Sequence, residues 1–134
     1  MRKKSMIKHR NAPLNDSSTN VEDLSIRIRS FLKKRDWEKY HTPKNLAISI
    51  CIEAGELLQI FQWMSEEELE IYQSSITPRV SEELADVMIY CLSMANAMKI
   101  DVVNAITAKI EINEKKYPVD KWKGRANLPE KWRL

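Results

Sequence analysis

Turn-forming residues are scarce in this chain. Its 134 residues include only two glycines, Gly55 and Gly124, and five prolines. Sandwiches and barrels need a turn every few residues, so the scarcity excludes a many-stranded β architecture and predicts a few long helices. Cysteine is equally rare. Cys51 and Cys91 fall inside apolar runs without metal-type spacing, which predicts reduced core thiols of a cytoplasmic protein rather than a disulfide framework. No window holds the ~18 charge-free apolar residues of a membrane span, and the N-terminus lacks the apolar stretch of a secretory signal.

Charge is present but unevenly placed. The net charge is +3, yet residues 1–10 carry five Lys/Arg and no acid, which leaves 17 basic against 19 acidic residues elsewhere. A nearly neutral body with a basic end is not the footprint of a duplex-binding domain. Residues 1–20 therefore read as a flexible, solvated basic arm, with nucleic-acid contact through it as the rival reading. The expected organisation is this arm, a helical domain over 21–118, and an extended tail over 119–134.

Periodicity predicts four helices. Leu24, Ile28, Phe31 and Leu32 recur at three- and four-residue steps, giving a first helix over 21–38. His41, Thr42 and Pro43 interrupt it. A second helix, buried on most sides, runs from Lys44 to Trp63 or Met64. A short acidic helical turn follows over 65–72, capped by Ser65 with Glu68 at the third position. Thr77-Pro78 reads as the N-cap and first turn of a third helix reaching Met98 or Lys99. Asp101 caps a fourth, Val102 to Lys116, stopped by Tyr117-Pro118, with Ile106, Ile110 and Tyr117 on its buried side. The fold class is all-α and four-helix bundle-like. So small a bundle finishes burying its apolar faces by oligomerising, and Trp122 and Trp132 look for cover on a neighbouring subunit.

Two of these helices carry narrow polar stripes. Ser49, Glu53 and Glu56 lie at i, i+4 and i+7, and Glu83, Asp86, Tyr90 and Ser93 at i, i+3, i+7 and i+10. Each set shares one helical face, surrounded by apolar residues. Glu-x-x-Glu alone is ordinary solvated surface. Two such pairs on apolar helices predict acids that face a cleft, where mutual repulsion and lost hydration call for a cation. The segments match locally as acid, any, small, acid, apolar, apolar: Glu53-Ala-Gly-Glu56-Leu-Leu and Glu83-Leu-Ala-Asp86-Val-Met. Gly55 costs about 1 kcal/mol of helix propensity and suggests close approach of another backbone. Antiparallel packing of the two helices would unite the acid pairs. All four are hard oxygen donors, so Mg²⁺, with Mn²⁺ as substitute, fits better than zinc or copper. A di-iron bundle would want Glu-x-x-His pairs, and the only histidines, His9 and His41, lie off the stripes.

Glu53-x-x-Glu56, followed after 26 residues by Glu83-x-x-Asp86, resembles the signature of the MazG-like all-α nucleoside triphosphate pyrophosphohydrolases. The likeness extends through Arg35-Asp36-Trp37-Glu38, Phe61-Gln62-Trp63, Glu82–Val87, Ile89-Tyr90, Lys109–Asn113 and Lys116-Tyr117-Pro118, covering about residues 22–124. Taken together, these runs are similar to the dCTP pyrophosphatase branch. The resemblance implies Mg²⁺ held by Glu53, Glu56, Glu83 and Asp86, and cleavage of a nucleoside triphosphate to monophosphate and pyrophosphate. It implies a base-side pocket involving Trp37, His41 and Trp63, and triphosphate or sugar contacts from Tyr90, Lys109, Asn113 and Lys116. Glu53 or Glu56 would orient or deprotonate the attacking water.

By the same resemblance the protein is a dimer or tetramer that clears dCTP-like or modified pyrimidine triphosphates, with no membrane or nucleic-acid partner. The alternative substrates are a non-canonical purine triphosphate or dUTP; the alternative class is a non-enzymatic helical assembly module. Two departures stand out. Ile52 precedes Glu53 where many relatives have a second acid, and Ile28 stands where some close relatives place a histidine on the first helix. An apolar Ile28 cannot replace that histidine's hydrogen bond.

Overall fold

The computed structural model describes residues 14–125. Every element among them is helical: α1 (Val21–Lys33), a 3-10 turn (Glu38–Tyr40), α2 (Pro43–Phe61), α3 (Glu66–Met98), α4 (Val102–Lys116) and the single turn α5 (Val119–Trp122). No single helix among the described residues is long and apolar enough to cross a membrane. The all-α class is as expected.

Local chemistry sets most of the boundaries. Asn20 and Asp23 exchange side-chain-to-backbone hydrogen bonds at the start of α1, and Ser65 and Glu68 do the same at the start of α3. Thr42 caps α2, with Pro43 in its first turn, and Asp101 caps α4. Lys99, in the left-handed region at φ 54°, ends α3, and the Ile100 N–H reaches back to the Ala95 carbonyl. Near the start of α3, hydrogen bonds from its own backbone and from Ser65 hold the Glu67 carboxyl below its ordinary range.

Three boundaries differ from expectation. α1 stops at Lys33, because Asp36 adopts φ 53° and turns the chain so that the Trp37 N–H returns to the Leu32 carbonyl. The acidic turn and the third helix are one helix, α3, with Pro78 inside it. Proline removes a backbone donor and normally breaks a helix interior. Here Leu69, Ile76 and Val80 keep one apolar face in register across Pro78, and the Thr77 hydroxyl donates to the Gln73 carbonyl at 2.7 Å instead of capping a new helix. Beyond Pro118 the chain forms α5 rather than an extended start to the tail, and Trp122 packs edge-on against Tyr117 at 5.0 Å. Residues 1–13 and 126–134, including Trp132, lie outside the described residues.

α2 and α1 pack on α3, whereas α4 makes no comparable contact with the other helices. Leu46 is 1% exposed and forms the centre of a small core with Leu32, Leu92 and Ala95. Arg29 donates to the Asn96 side chain, whose amide donates to the Ser25 carbonyl, fastening α1 to the C-terminal end of α3. Much apolar surface stays open. Ile106, Ile110 and Tyr117, expected to be buried, are exposed: among the described residues α4 has no extensive packing against another helix, and Tyr117 meets Trp122 edge-on. Cys51 and Cys91 are exposed too, on outward faces of α2 and α3 rather than in a core. At Gly55 an added Cβ would meet nothing within 4 Å, so no close backbone approach in this subunit accounts for the glycine. An open groove of about 360 Å³ runs along the first half of α3, lined by Phe61, Glu66, Leu69, Glu70, Gln73, Ile76, Thr77 and Val80.

Leu46→Ala removes the most enclosed side chain of this core and is expected to cost about 2–5 kcal/mol. Urea unfolding followed by far-UV circular dichroism measures it; a loss below ~1 kcal/mol would place the core elsewhere.

Candidate metal centre

The turn between α2 and α3 reverses the apolar faces onto each other through 114°, short of the antiparallel arrangement expected. The acids still meet. Glu53 and Glu56, one turn apart on α2, and Glu83 on α3 each bring one carboxylate oxygen within 4.8 Å of the others. Asp86 lies outside that triplet but near enough for its charge to act on Glu53. The Glu53 carboxyl is raised above its ordinary value, first by loss of hydration and then by the charges of Glu56, Asp86 and Glu83. Glu53 and Glu83 are half-buried, whereas Glu56 and Asp86 are exposed. The expected cleft is therefore open on one side in the subunit.

Among the described residues no cationic side chain forms an ion pair with these acids. The one ion pair among the described residues joins Lys39 to Asp36, away from the cluster. Oxygen-only donors at this spacing suit a hard divalent ion of the magnesium class, with nothing in the set that favours zinc or copper.

One turn beyond Asp86, Tyr90 is half-buried and stacks on His41 with ring centres 6.3 Å apart and planes at 15°. His41 Nδ1 lies 2.9 Å from the Trp37 carbonyl, which can only accept, so Nδ1 carries the proton and Nε2 is the acceptor of the neutral ring. Trp37 packs edge-on against Phe31 at 5.9 Å and remains 45% exposed. Trp37, His41 and Tyr90 are thus linked in one series that leads to the acids. Ser93, the last member of the stripe, turns inward instead and donates to the Ile89 carbonyl, 3% exposed.

The other expected substrate contacts are not gathered here. Trp63 stands in the α2–α3 turn, 87% exposed. Lys109 and Lys116 are exposed and Asn113 half-buried on α4. Among the described residues none of the three makes a side-chain hydrogen bond or ion pair with the acids, and Lys116 lies over the Tyr117 ring. Sequence reading missed Arg35, whose guanidinium sits 3.7 Å from the Phe31 ring centre and 6.0 Å from that of Trp37. The only signal available was its place beside Trp37.

The subunit is all-helical and clusters carboxylates from two adjoining helices, a donor set of the kind that suits a divalent cation. The chain belongs to the MazG-like family, whose profile matches residues 48–128. It is 33% identical to dCTP pyrophosphatase 1 of Bos taurus over 112 residues, which is 82% of this chain and 66% of that protein. It is 36% identical to dCTP pyrophosphatase 1 of Homo sapiens over 100 residues, 73% of this chain and 59% of that protein. The chain spans less than two thirds of the length of these curated relatives. Among solved structures, a pyrophosphatase from Archaeoglobus fulgidus superposes with a TM-score of 0.69 at 44% identity, covering 79% of this chain and 99% of that one.

The raised Glu53 carboxyl makes a signed prediction. The folded state takes up a proton at higher pH than the unfolded state, so Glu53 lowers metal-free stability as pH rises through the window above 4.5. Glu53→Gln should raise the melting temperature of metal-free protein at pH 7 while abolishing the upward shift that Mg²⁺ gives the unsubstituted chain. Differential scanning fluorimetry with and without EDTA reads both. Equal Mg²⁺ shifts in the two proteins would place the ion elsewhere.

Proposed function

We propose that this protein is a Mg²⁺-dependent nucleoside triphosphate pyrophosphohydrolase of the cytoplasmic nucleotide pool, acting on dCTP or a modified pyrimidine deoxynucleotide. The convergence of Glu53, Glu56 and Glu83, with Asp86 beside them, carries this reading. The family and the names of its relatives supply the reaction class. The catalytic unit is assigned to residues 21–118.

On this reading the four acids hold the metal. When bound, Mg²⁺ supplies charge neutralisation for the phosphate oxygens. Hydrolysis joins a water oxygen to the α-phosphorus and breaks its bond to the bridging oxygen, which leaves on pyrophosphate. Glu53 or Glu56 would orient the attacking water or take its proton. The Trp37–His41–Tyr90 series provides flat rings and an acceptor for the base and sugar. Trp63 adds a further stacking surface. Lys109, Asn113 and Lys116 are assigned to the triphosphate oxygens, completing a site that the isolated subunit leaves open. Assembly into a dimer or tetramer is supported by the exposed apolar faces of α2, α3 and α4.

Glu56→Gln is expected to lower Mg²⁺-dependent release of pyrophosphate by at least about 10²-fold while leaving far-UV circular dichroism unchanged. Unaltered turnover would discard the site. Among substrates, dCTP and 5-substituted pyrimidine triphosphates should give the highest kcat/KM; a clear purine preference, or a preference for dUTP, would replace the base assignment. Deleting residues 1–12 should leave turnover intact, whereas salt-sensitive DNA binding lost with those residues would favour the nucleic-acid reading.

A further inference from the structure

The turn that follows α1 ties down the backbone of Trp37 and leaves its ring to be held by other means. Asp36, left-handed at φ 53°, turns the chain without a glycine. The Trp37 N–H donates to the Leu32 carbonyl at 3.1 Å, and the Trp37 carbonyl accepts from the Tyr40 N–H and from His41 Nδ1, both at 2.9 Å. The backbone is therefore tied to α1 on one side and to His41 on the other. The indole beyond it stands 45% exposed.

Arg35 supplies the hold. Its guanidinium lies 3.7 Å from the Phe31 ring centre and 6.0 Å from that of Trp37, and its Nη1 donates to the Phe31 carbonyl at 3.1 Å. Phe31 in turn meets Trp37 at 5.9 Å with the rings at 75°. A planar cation lying over one aromatic face, and hydrogen-bonded to that residue's carbonyl, has little freedom of its own. The one ion pair among the described residues joins Lys39 to Asp36, so no carboxylate among them pairs with the guanidinium. We propose that Arg35 is a positioning residue for the base side of the site: braced on Phe31, it holds the Trp37 indole in one orientation before substrate arrives. This rests on the reading of Trp37 as a ring that meets the nucleobase.

An exposed tryptophan turns about two side-chain bonds, and a base that stacks on it loses affinity in stopping that motion. A brace lowers the loss. The gain belongs to binding rather than to bond breaking, because Arg35 holds a ring and forms no ion pair with the four acids. It is also confined to the base, since pyrophosphate carries no ring to stack. Removing Arg35 therefore raises KM for a nucleotide and leaves both kcat and the affinity for pyrophosphate alone.

Full-length protein labelled with 5-fluorotryptophan gives a ¹⁹F line for each tryptophan, and Trp37→Phe identifies the line of residue 37. In Arg35→Met that line should shift and broaden while the other tryptophan lines stay. An unmoved line overturns the positioning, whatever the kinetics show. With dCTP, or the nucleotide that replaces it by kcat/KM, Arg35→Met should raise KM about three- to fivefold, the size of one exposed cation–π contact, with kcat altered by less than about 1.5-fold. The inhibition constant of inorganic pyrophosphate should not change. A fall in kcat with KM unaltered overturns the proposal; so does weaker inhibition by pyrophosphate, which would show Arg35 meeting phosphate directly. Phe31→Leu removes the support of the brace and should raise KM by a similar factor, and the double variant should do no more than either single one. Additive losses overturn the hold through Phe31. Should the unsubstituted protein release pyrophosphate from no nucleotide, the hydrolytic reading and the base role fall together, while the fluorine line still decides what Arg35 does to Trp37.

Discussion

Carboxylates that repel one another are held together here by greasy packing behind them. α2 packs on α3, with Leu46 and Leu92 among the buried residues, and that packing brings Glu53, Glu56 and Glu83 together whatever their charges prefer. The cost appears at Glu53, whose carboxyl is pushed toward its neutral form by lost hydration and three acidic neighbours. A chain free to relax would separate these groups. That it keeps them close, with no ion pair to a cation among the described residues, gives the cluster its chemical meaning: hydrophobic burial is converted into a standing demand for positive charge.

The same economy of packing leaves the subunit open. Among the described residues the core is a few side chains, little for a chain of this length, and α4 carries an isoleucine-rich face that stays exposed. Small domains bury a limited fraction of their surface alone. The acid cluster shares this openness, since Glu53 and Glu83 are half-buried and Glu56 and Asp86 are exposed. Fold and site therefore have the same gap to close.

Much of this was legible because it depends on local rules. Acids at three- and four-residue spacing share a helical face wherever the helix goes, so the stripes could be read before any packing was known. The caps at Ser65, Thr42 and Asp101 involve groups a few residues apart, and they too were readable or nearly so. What could not be read depends on contacts distant in sequence. Thr77-Pro78 has the local form of a helix start, but the apolar register of Leu69, Ile76 and Val80 carries α3 through it. Asp36 ends α1 early without glycine or proline to announce a turn. Cys51, Cys91 and Ile106 sit in apolar runs that promise burial, and nothing in a single sequence says whether the cover comes from the same subunit. The site shows the same division: the acids were found by spacing, whereas Arg35 over Phe31 and the inward turn of Ser93 emerged only in three dimensions.

Pro78 has one more consequence. Helix unwinding spreads rung by rung along the hydrogen-bond ladder, and a proline leaves a rung missing. Motion that starts at the solvent-facing acidic end of α3 meets this gap five residues before Glu83. The imino acid thus marks a joint in the ladder between the outer stretch of the helix and the residues that gather the charge.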